Sequence, residues 1–151
     1  MLPVDILQTF FASLDPALAQ RKFRRFAAMD PDSDEARVFV AMEDWLNEGP
    51  PLAAGVARTC FFEWYQENRP AQGTWRLGDT PMDPAAVRQP CLVASPRDDR
   101  LVPPASSMAL YEALPDAELL TPAAGHIGMV AGGGAEPALW RPLLDWLAAR
   151  S

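Results

Sequence analysis

The 151-residue chain contains few of the residues that most often carry catalysis or bind metals. It has one histidine, His126, and two cysteines, Cys60 and Cys91. One histidine without a nearby cysteine pair is a poor ligand set, so we expect neither a metal site nor a cofactor. Because the sequence shows no secretory signal, the two cysteines are predicted to be reduced thiols rather than a disulfide.

Positive charge and long apolar runs are also scarce. The formal net charge is -7 and the sequence pI is about 4.6. The only dense basic cluster spans residues 21–25, which argues against a nucleic-acid partner because phosphate contacts need clustered Lys and Arg. No apolar stretch reaches the length of a membrane span, and the N-terminus lacks a signal-peptide pattern. These absences predict a cytoplasmic protein.

The sequence changes character near residue 70. Residues 1–70 are predicted to be all-helical, with Asp32 as a helix N-cap and Glu35 completing a capping box. Residues 71–151 alternate short strands with helices, which is typical of a parallel sheet in an α/β architecture. The predicted strands cover residues 74–77, 91–95 and 117–120, and the predicted helices cover residues 103–114 and 139–149.

Asp99 and His126 each follow a predicted strand of this second part. The carboxyl ends of parallel strands share one edge of a sheet, so the two side chains are expected at the same rim. Their order, and the Asp-x-x-Val-Pro context of Asp99, are typical of the acid and the base of an α/β-hydrolase triad. Asp98 is a competing acid. Alternatively, both aspartates only cap the helix near Pro103, and His126 is a solvated loop residue.

The nucleophile of such a triad is missing, since no G-x-S-x-G or G-x-C-x-G turn occurs in the chain. Cys91 opens a predicted strand and Cys60 lies on the apolar stripe of a predicted helix, so both are expected to serve packing rather than catalysis. Ser95, Ser106 and Ser107 are weaker candidates. The sequence therefore predicts a partial α/β-hydrolase fold, with the C-terminal strands of a parallel sheet preceded by an all-helical lid segment. We expect the isolated chain to be inactive, with its nucleophile supplied from outside.

Several short motifs resemble the C-terminal portion of polyhydroxyalkanoate synthases and their hydrolase-like relatives. They cover residues 78–83, 87–93, 99–103 and 125–128, and residues 39–49 look like part of that family's lid. The resemblance implies an α/β-hydrolase with a cysteine nucleophile that transfers 3-hydroxyacyl groups from coenzyme A thioesters to a polyester. It matches Asp99 to the catalytic aspartate and His126 to the catalytic histidine. The loop over residues 129–134 departs from the family's proline-containing continuation, which leaves an esterase or thioesterase open.

Two further expectations concern ligands and partners. The aromatic side chains Phe61, Trp64 and Tyr65, with Phe62, either line a channel for the acyl substrate or form ordinary core. A partial sheet leaves an unpaired strand edge and an uncovered apolar face, which predicts a complementary N-terminal half or a homo-oligomer. A non-catalytic interaction module derived from an α/β-hydrolase is the alternative function.

Overall fold

The computed structural model describes residues 1–150. The chain divides into two compact units, one formed by Met1–Asn68 and the other beginning at Arg69.

The first unit is helical, as its periodicity predicts. A single antiparallel bridge pairs Leu2 with Leu52, and the helix that follows begins two residues later, at Ala54. A π-helical segment, in which the backbone hydrogen bonds span five residues, continues that helix directly. The elements are α1 (Val4–Leu14), α2 (Leu18–Phe26), α3 (Asp34–Asn47), α4 (Ala54–Arg58) and the π-helical segment Thr59–Gln66.

The N-cap of α3 is Ser33, so the prediction of Asp32 was wrong by one residue. Ser33 has extended backbone angles, and its hydroxyl accepts a hydrogen bond from the Ala36 amide at 3.1 Å. Asp32 instead donates its amide to the Asp30 carboxylate at 3.0 Å, which forms the turn before the helix. Both residue types are good caps, so the sequence alone does not separate two adjacent candidates.

Aromatic stacking and one ion pair join α2 to α3. The Phe26 and Phe39 rings stack with centroids 4.4 Å apart, and Phe23 meets Phe39 edge to face at 5.8 Å. The Lys22 ammonium lies 2.6 Å from the Glu43 carboxylate, and both side chains are partly buried. Phe39 of α3 therefore contacts both aromatic rings of α2 and joins the two helices.

The second unit mixes helices with short strands. Its elements are β1 (Arg76–Leu77), β2 (Thr80–Pro81), a 3-10 turn (Pro84–Ala86), β3 (Cys91–Ala94), α5 (Pro104–Ala113), β4 (Ala117–Leu120), α6 (Gly128–Ala131), a π-helical segment (Glu136–Trp140) and α7 (Arg141–Ala148). The sequence prediction missed β2 and α6 because each has four residues or fewer and shows no measurable periodicity. Gly78 begins the β1–β2 turn at φ +59, a conformation that glycine adopts without strain.

The parallel pair β3–β4 organises this unit. Its register runs from Cys91 opposite Ala117 to Ala94 opposite Leu120, and α5 supplies the crossover. A strand, a crossover helix and a parallel strand form the βαβ unit of α/β proteins. The predicted β4 boundaries are confirmed. The predicted closing helix is interrupted, because a π-helical segment ends at Trp140 and α7 begins at Arg141, with Pro142 tolerated in its first turn.

The core is small for a chain of this mass. Among residues 1–150, the buried aliphatic residues are Ala36, Val93, Ala135 and Leu139, and two prolines, Pro96 and Pro122, are also buried. The accessible surface is 10918 Å², whereas a compact 16.5 kDa monomer exposes about 7,600 Å². Two separate compact bodies of the two units' sizes would expose only about 9,100 Å². Much apolar surface therefore stays uncovered in the single chain. No helix within residues 1–150 is long and apolar enough to span a membrane.

Candidate functional site

Two loops leave the carboxyl ends of β3 and β4 and remain hydrogen-bonded beyond the strands. Three backbone amides of the first loop donate to carbonyls of the second, at distances of 2.8 to 3.1 Å. The pairs are Ser95 N to Leu120 O, Arg97 N to Pro122 O, and Asp98 N to Ala124 O. This pairing brings the loop that carries Asp99 against the loop that carries His126.

Asp99 uses its two carboxylate oxygens for different purposes. Oδ1 accepts hydrogen bonds from the amides of Leu101 at 2.8 Å and Val102 at 2.9 Å. Oδ2 lies 2.8 Å from Nδ1 of His126. The Asp99 side chain is only 3% exposed. The helix α5 begins at Pro104 without a side-chain cap, so the capping alternative is wrong: Oδ1 of Asp99 binds two amides of the turn before that helix, and Oδ2 pairs with the histidine.

The electrostatics of the site keep Asp99 ionised. Burial favours the neutral acid, but hydrogen bonds from the Val102 amide, His126 and the Leu101 amide outweigh it, so the pKa of Asp99 lies below its ordinary value. A carboxylate that stays charged holds the Nδ1 proton of a neutral imidazole and favours the tautomer with a free Nε2.

His126 presents its other ring nitrogen for chemistry. Its side chain is 40% exposed, and between Arg69 and Arg150 the only hydrogen-bond partner of the ring is Asp99, at Nδ1. The helix α6 follows the ring directly, with hydrogen bonds from Met129 N to Gly125 O and from Ala131 N to Ile127 O. An oriented imidazole with a free Nε2 can take a proton from a neighbouring hydroxyl or thiol and later return it.

Gly132 ends α6 at a position that excludes any side chain. A Cβ placed there would lie 2.5 Å from the carbonyl oxygen of Gly128. The neighbouring Gly133 and Gly134 have open space instead. The three glycines therefore differ, because only Gly132 lies where a side chain would meet the backbone of α6.

Within the second unit, the side chains of Asp98, Cys91 and Ser95 form no hydrogen bond with Asp99 or His126. The Asp98 side chain is exposed, and only its backbone joins the loop pairing. Cys91 begins β3, so three residue steps of about 3.3 Å separate it from the last residue of the strand, Ala94. Ser95 is 2% exposed and its hydroxyl lies 2.7 Å from that of Ser107. Cys60 is a half-buried free thiol of the first unit.

The aromatic candidates lie on the π-helical segment of the first unit, and none of them is buried. Phe61 and Tyr65 stack with centroids 6.5 Å apart, and the Tyr65 side chain is 77% exposed. Phe61 also lines an open groove of about 540 Å³ that contains mostly apolar side chains. The groove is lined by Met1, Leu2, Ile6, Ala54, Ala57, Arg58, Phe61 and Phe62. Within residues 1–150 these aromatic side chains are therefore not part of a buried core.

Sequence reasoning missed the groups that hold Asp99 in place. The amides of Leu101 and Val102 bind its carboxylate, and the paired hydroxyls of Ser95 and Ser107 connect the strand before the loop to the helix after it. An aspartate two residues before an apolar pair is the signal of an Asx-type turn and could have indicated the amides. Within residues 1–150, no three His, Cys, Asp or Glu side chains are grouped to hold a metal ion.

The fold and the site define a mixed α/β chain with a carboxylate–histidine pair at the carboxyl end of parallel strands. The chain is similar over 99% of its length to curated poly(3-hydroxyalkanoate) polymerase subunits named PhaC. It is 32% identical over 156 residues to the subunit of Synechocystis, 32% over 154 residues to that of Thiocystis violacea, and 29% over 154 residues to that of Haloferax mediterranei. The resemblance to polyhydroxyalkanoate synthases is therefore confirmed.

The similarity covers only part of each relative. The chain spans 40% of the Synechocystis subunit, 43% of the Thiocystis violacea subunit and 31% of the Haloferax mediterranei subunit. No family model matches the chain, and no solved structure matches it. Similarity at this coverage describes a polymerase-like segment, so activity, substrate and partners are matters for proposal.

Proposed function

We propose that this chain is the acid–base part of an acyltransferase of the poly(3-hydroxyalkanoate) polymerase type, built on a partial α/β-hydrolase fold. The observation that carries the proposal is the 2.8 Å contact between Asp99 Oδ2 and His126 Nδ1 at the carboxyl end of the β3–β4 pair. The substrate class is a 3-hydroxyacyl thioester or ester. The nucleophile comes from a polypeptide segment outside the chain.

The proposed mechanism assigns one task to each residue. His126 Nε2 accepts the proton of the entering thiol or hydroxyl as that nucleophile attacks the acyl carbonyl, and returns it to the leaving group. Asp99 holds the Nδ1–H, fixes the ring orientation and stabilises the imidazolium that forms. The low pKa of Asp99 suits this task, because the carboxylate stays charged throughout the cycle.

The first unit is proposed to act as the lid of this site. Phe61, Trp64 and Tyr65 would contact the acyl part of the substrate, which the exposure of all three rings supports. Apolar contact suits a 3-hydroxyacyl chain because each buried methylene adds about 0.8 kcal/mol of binding. Alanine substitution of Phe61 should then raise KM more for longer acyl chains than for shorter ones.

A chimera tests the proposed function. The matched 156 residues of the Synechocystis subunit are replaced by this chain, and release of coenzyme A from 3-hydroxybutyryl-coenzyme A is measured. His126→Gln should lower kcat by about 10²- to 10⁴-fold, the usual contribution of a positioned general base. Asp99→Asn should have a loss of similar order, since it removes the carboxylate but keeps the size of the side chain.

Asp98→Asn is the matched control for these variants. It makes the same chemical change one residue away, on an exposed side chain that does not contact His126. Its rate should stay within about twofold of the unsubstituted chimera. A folded chimera that releases no coenzyme A, or one in which His126→Gln keeps full activity, would contradict the proposal.

A second function is favoured by the exposed surface of the chain. The excess accessible area suits a non-catalytic module that binds a second copy or another polypeptide. The two proposals predict different results for the same material. A stable homodimer in sedimentation, together with an inactive folded chimera, supports the interaction module.

A further inference from the structure

The loop that carries Asp99 is closed at its base by two hydroxyl groups. Ser95 lies directly after β3 and is 2% exposed, while Ser107 lies on α5. Their Oγ atoms are 2.7 Å apart. Ser107 also donates to the Pro104 carbonyl at 3.1 Å. A serine hydroxyl has one proton, so both contacts are satisfied together when Ser107 donates to Pro104 and Ser95 donates to Ser107.

The hydrogen bonds of Ser95 connect β4, the first turn of α5 and the loop that carries Asp99. The backbone amide of Ser95 is fixed to β4 through Leu120 O at 2.8 Å. Its side chain is fixed to the first turn of α5 through Ser107. The residues between them, 96–103, form the loop whose amides at Leu101 and Val102 hold Asp99. A displacement of the start of α5 would therefore move the amides that fix the carboxylate.

We propose that Ser95 and Ser107 are positioning residues, and that their hydroxyl pair sets the distance between Asp99 and His126 by fixing the two ends of the acid loop. The catalytic consequence of this inference rests on the proposed function, whereas its geometric consequence does not. A merely structural role, in which two buried hydroxyls satisfy each other, would leave the Asp99–His126 hydrogen bond unchanged when both are removed.

The single histidine gives a direct readout of that hydrogen bond in the full chain. With ¹⁵N-labelled histidine, the imidazole Nδ1–H signal of the protein comes from His126 alone, and its exchange rate with water reports how firmly Asp99 holds the proton. Ser95→Ala should raise that exchange rate about tenfold. Ser106→Ala is the matched control, because it removes a neighbouring hydroxyl of α5 that is not part of the pair, and it should leave the exchange rate unchanged.

Substitutions at Ser107 separate positioning from packing. Ser107→Ala leaves the buried Ser95 hydroxyl without its acceptor, so its effect should exceed that of Ser95→Ala. The double variant Ser95→Ala/Ser107→Ala removes both groups and should exchange faster than the unsubstituted chain, but no faster than Ser107→Ala alone. Ser107→Thr keeps the hydroxyl and should restore the slow exchange. Thermal unfolding of each variant identifies any that fail to fold. The variants that do fold still test whether the serine pair positions the Asp99–His126 hydrogen bond.

The chimera supplies the catalytic readout. In it, Ser95→Ala should lower kcat about tenfold with KM unchanged, because a misplaced base affects proton transfer more than binding. Unchanged imidazole exchange in every folded serine variant overturns the positioning role, even if the chimera is active. Faster exchange in Ser95→Ala together with a chimera that is inactive throughout supports the positioning of the Asp99–His126 pair and contradicts the proposed function.

Discussion

Replacement of Asp99 tests the structural account of the site without any assay of activity. Its carboxylate accepts three hydrogen bonds, from Leu101 N, Val102 N and His126 Nδ1. A hydrogen bond to a charged group contributes about 1.5 to 3 kcal/mol. Water can replace part of that loss at the two amides, because Leu101 and Val102 are partly exposed. We therefore expect Asp99→Ala to lower the free energy of unfolding by about 2 to 3 kcal/mol.

Asp99→Asn should lower the free energy of unfolding by only about 1 kcal/mol, because the amide oxygen can still accept from both backbone amides. Asp98→Asn should change it by less than about 0.5 kcal/mol, since that side chain is exposed. Urea denaturation followed by tryptophan fluorescence measures all three variants. Equal losses for Asp98→Asn and Asp99→Asn would refute the reasoning.

The same comparison has a definite dependence on pH. Because the folded pKa of Asp99 lies below its ordinary value, the ionised side chain stabilises the folded state above about pH 4, the ordinary range of aspartate. That stabilisation is lost as the pH falls through the lowered folded pKa. The difference in unfolding free energy between the unsubstituted chain and Asp99→Asn should thus be largest at pH 7 and shrink toward pH 3. A difference that stays constant between these values would contradict the assignment.

Three further predictions concern the scaffold. Gly132→Ala should lower the free energy of unfolding by about 1 to 3 kcal/mol, because its Cβ would meet the Gly128 carbonyl, whereas Gly133→Ala meets open space and should change it far less. Ser33→Ala should lower the free energy of unfolding by about 1 kcal/mol, and Asp32→Ala should lower it much less, which urea denaturation of both variants would measure. The reverse order would assign the N-cap of α3 to Asp32. The urea m-value of the chain should be about four-fifths of that of a compact 16.5 kDa domain, because folding buries less surface. An m-value equal to that of a compact domain would mean that association covers the exposed apolar surface in solution.

The elements with strong periodicity or clear flanking residues could be predicted from the sequence. Ala117–Leu120 is a strand as expected, and the helices of residues 1–70 occur in the expected order. The irregular elements could not be predicted, because a π-helical segment such as Glu136–Trp140 has the same local composition as an α-helix. Asp32 and Ser33 are both suitable cap residues, and the backbone angles decide which of them caps the helix. The sequence does not specify those angles.

The acid and the histidine could be predicted because their chemistry and their strand context are visible in the sequence. The choice between Asp98 and Asp99 depended on spacing to Val102, and the structure pairs Asp99 with His126. The supporting groups were not visible for a physical reason. Backbone amides carry no residue identity, and the Ser95–Ser107 contact joins residues twelve positions apart through the crossover. A local pattern cannot report a contact that depends on how β3 and α5 pack.

The exposed surface shows a further limit of sequence patterns. Apolar residues at helical spacing, such as Ile6, Phe10 and Leu14 on α1, indicate that a face is buried but not what buries it. In the single chain these three side chains are each about half exposed. The packing of this chain leaves that apolar face exposed. Its periodicity is explained if the sequence evolved with another polypeptide packed against the face. A segment that brings a nucleophile to His126 and also covers such faces would account for both the lack of a nucleophile at the proposed site and the small core, so a gain of thermal stability on chimera formation should accompany any gain of activity.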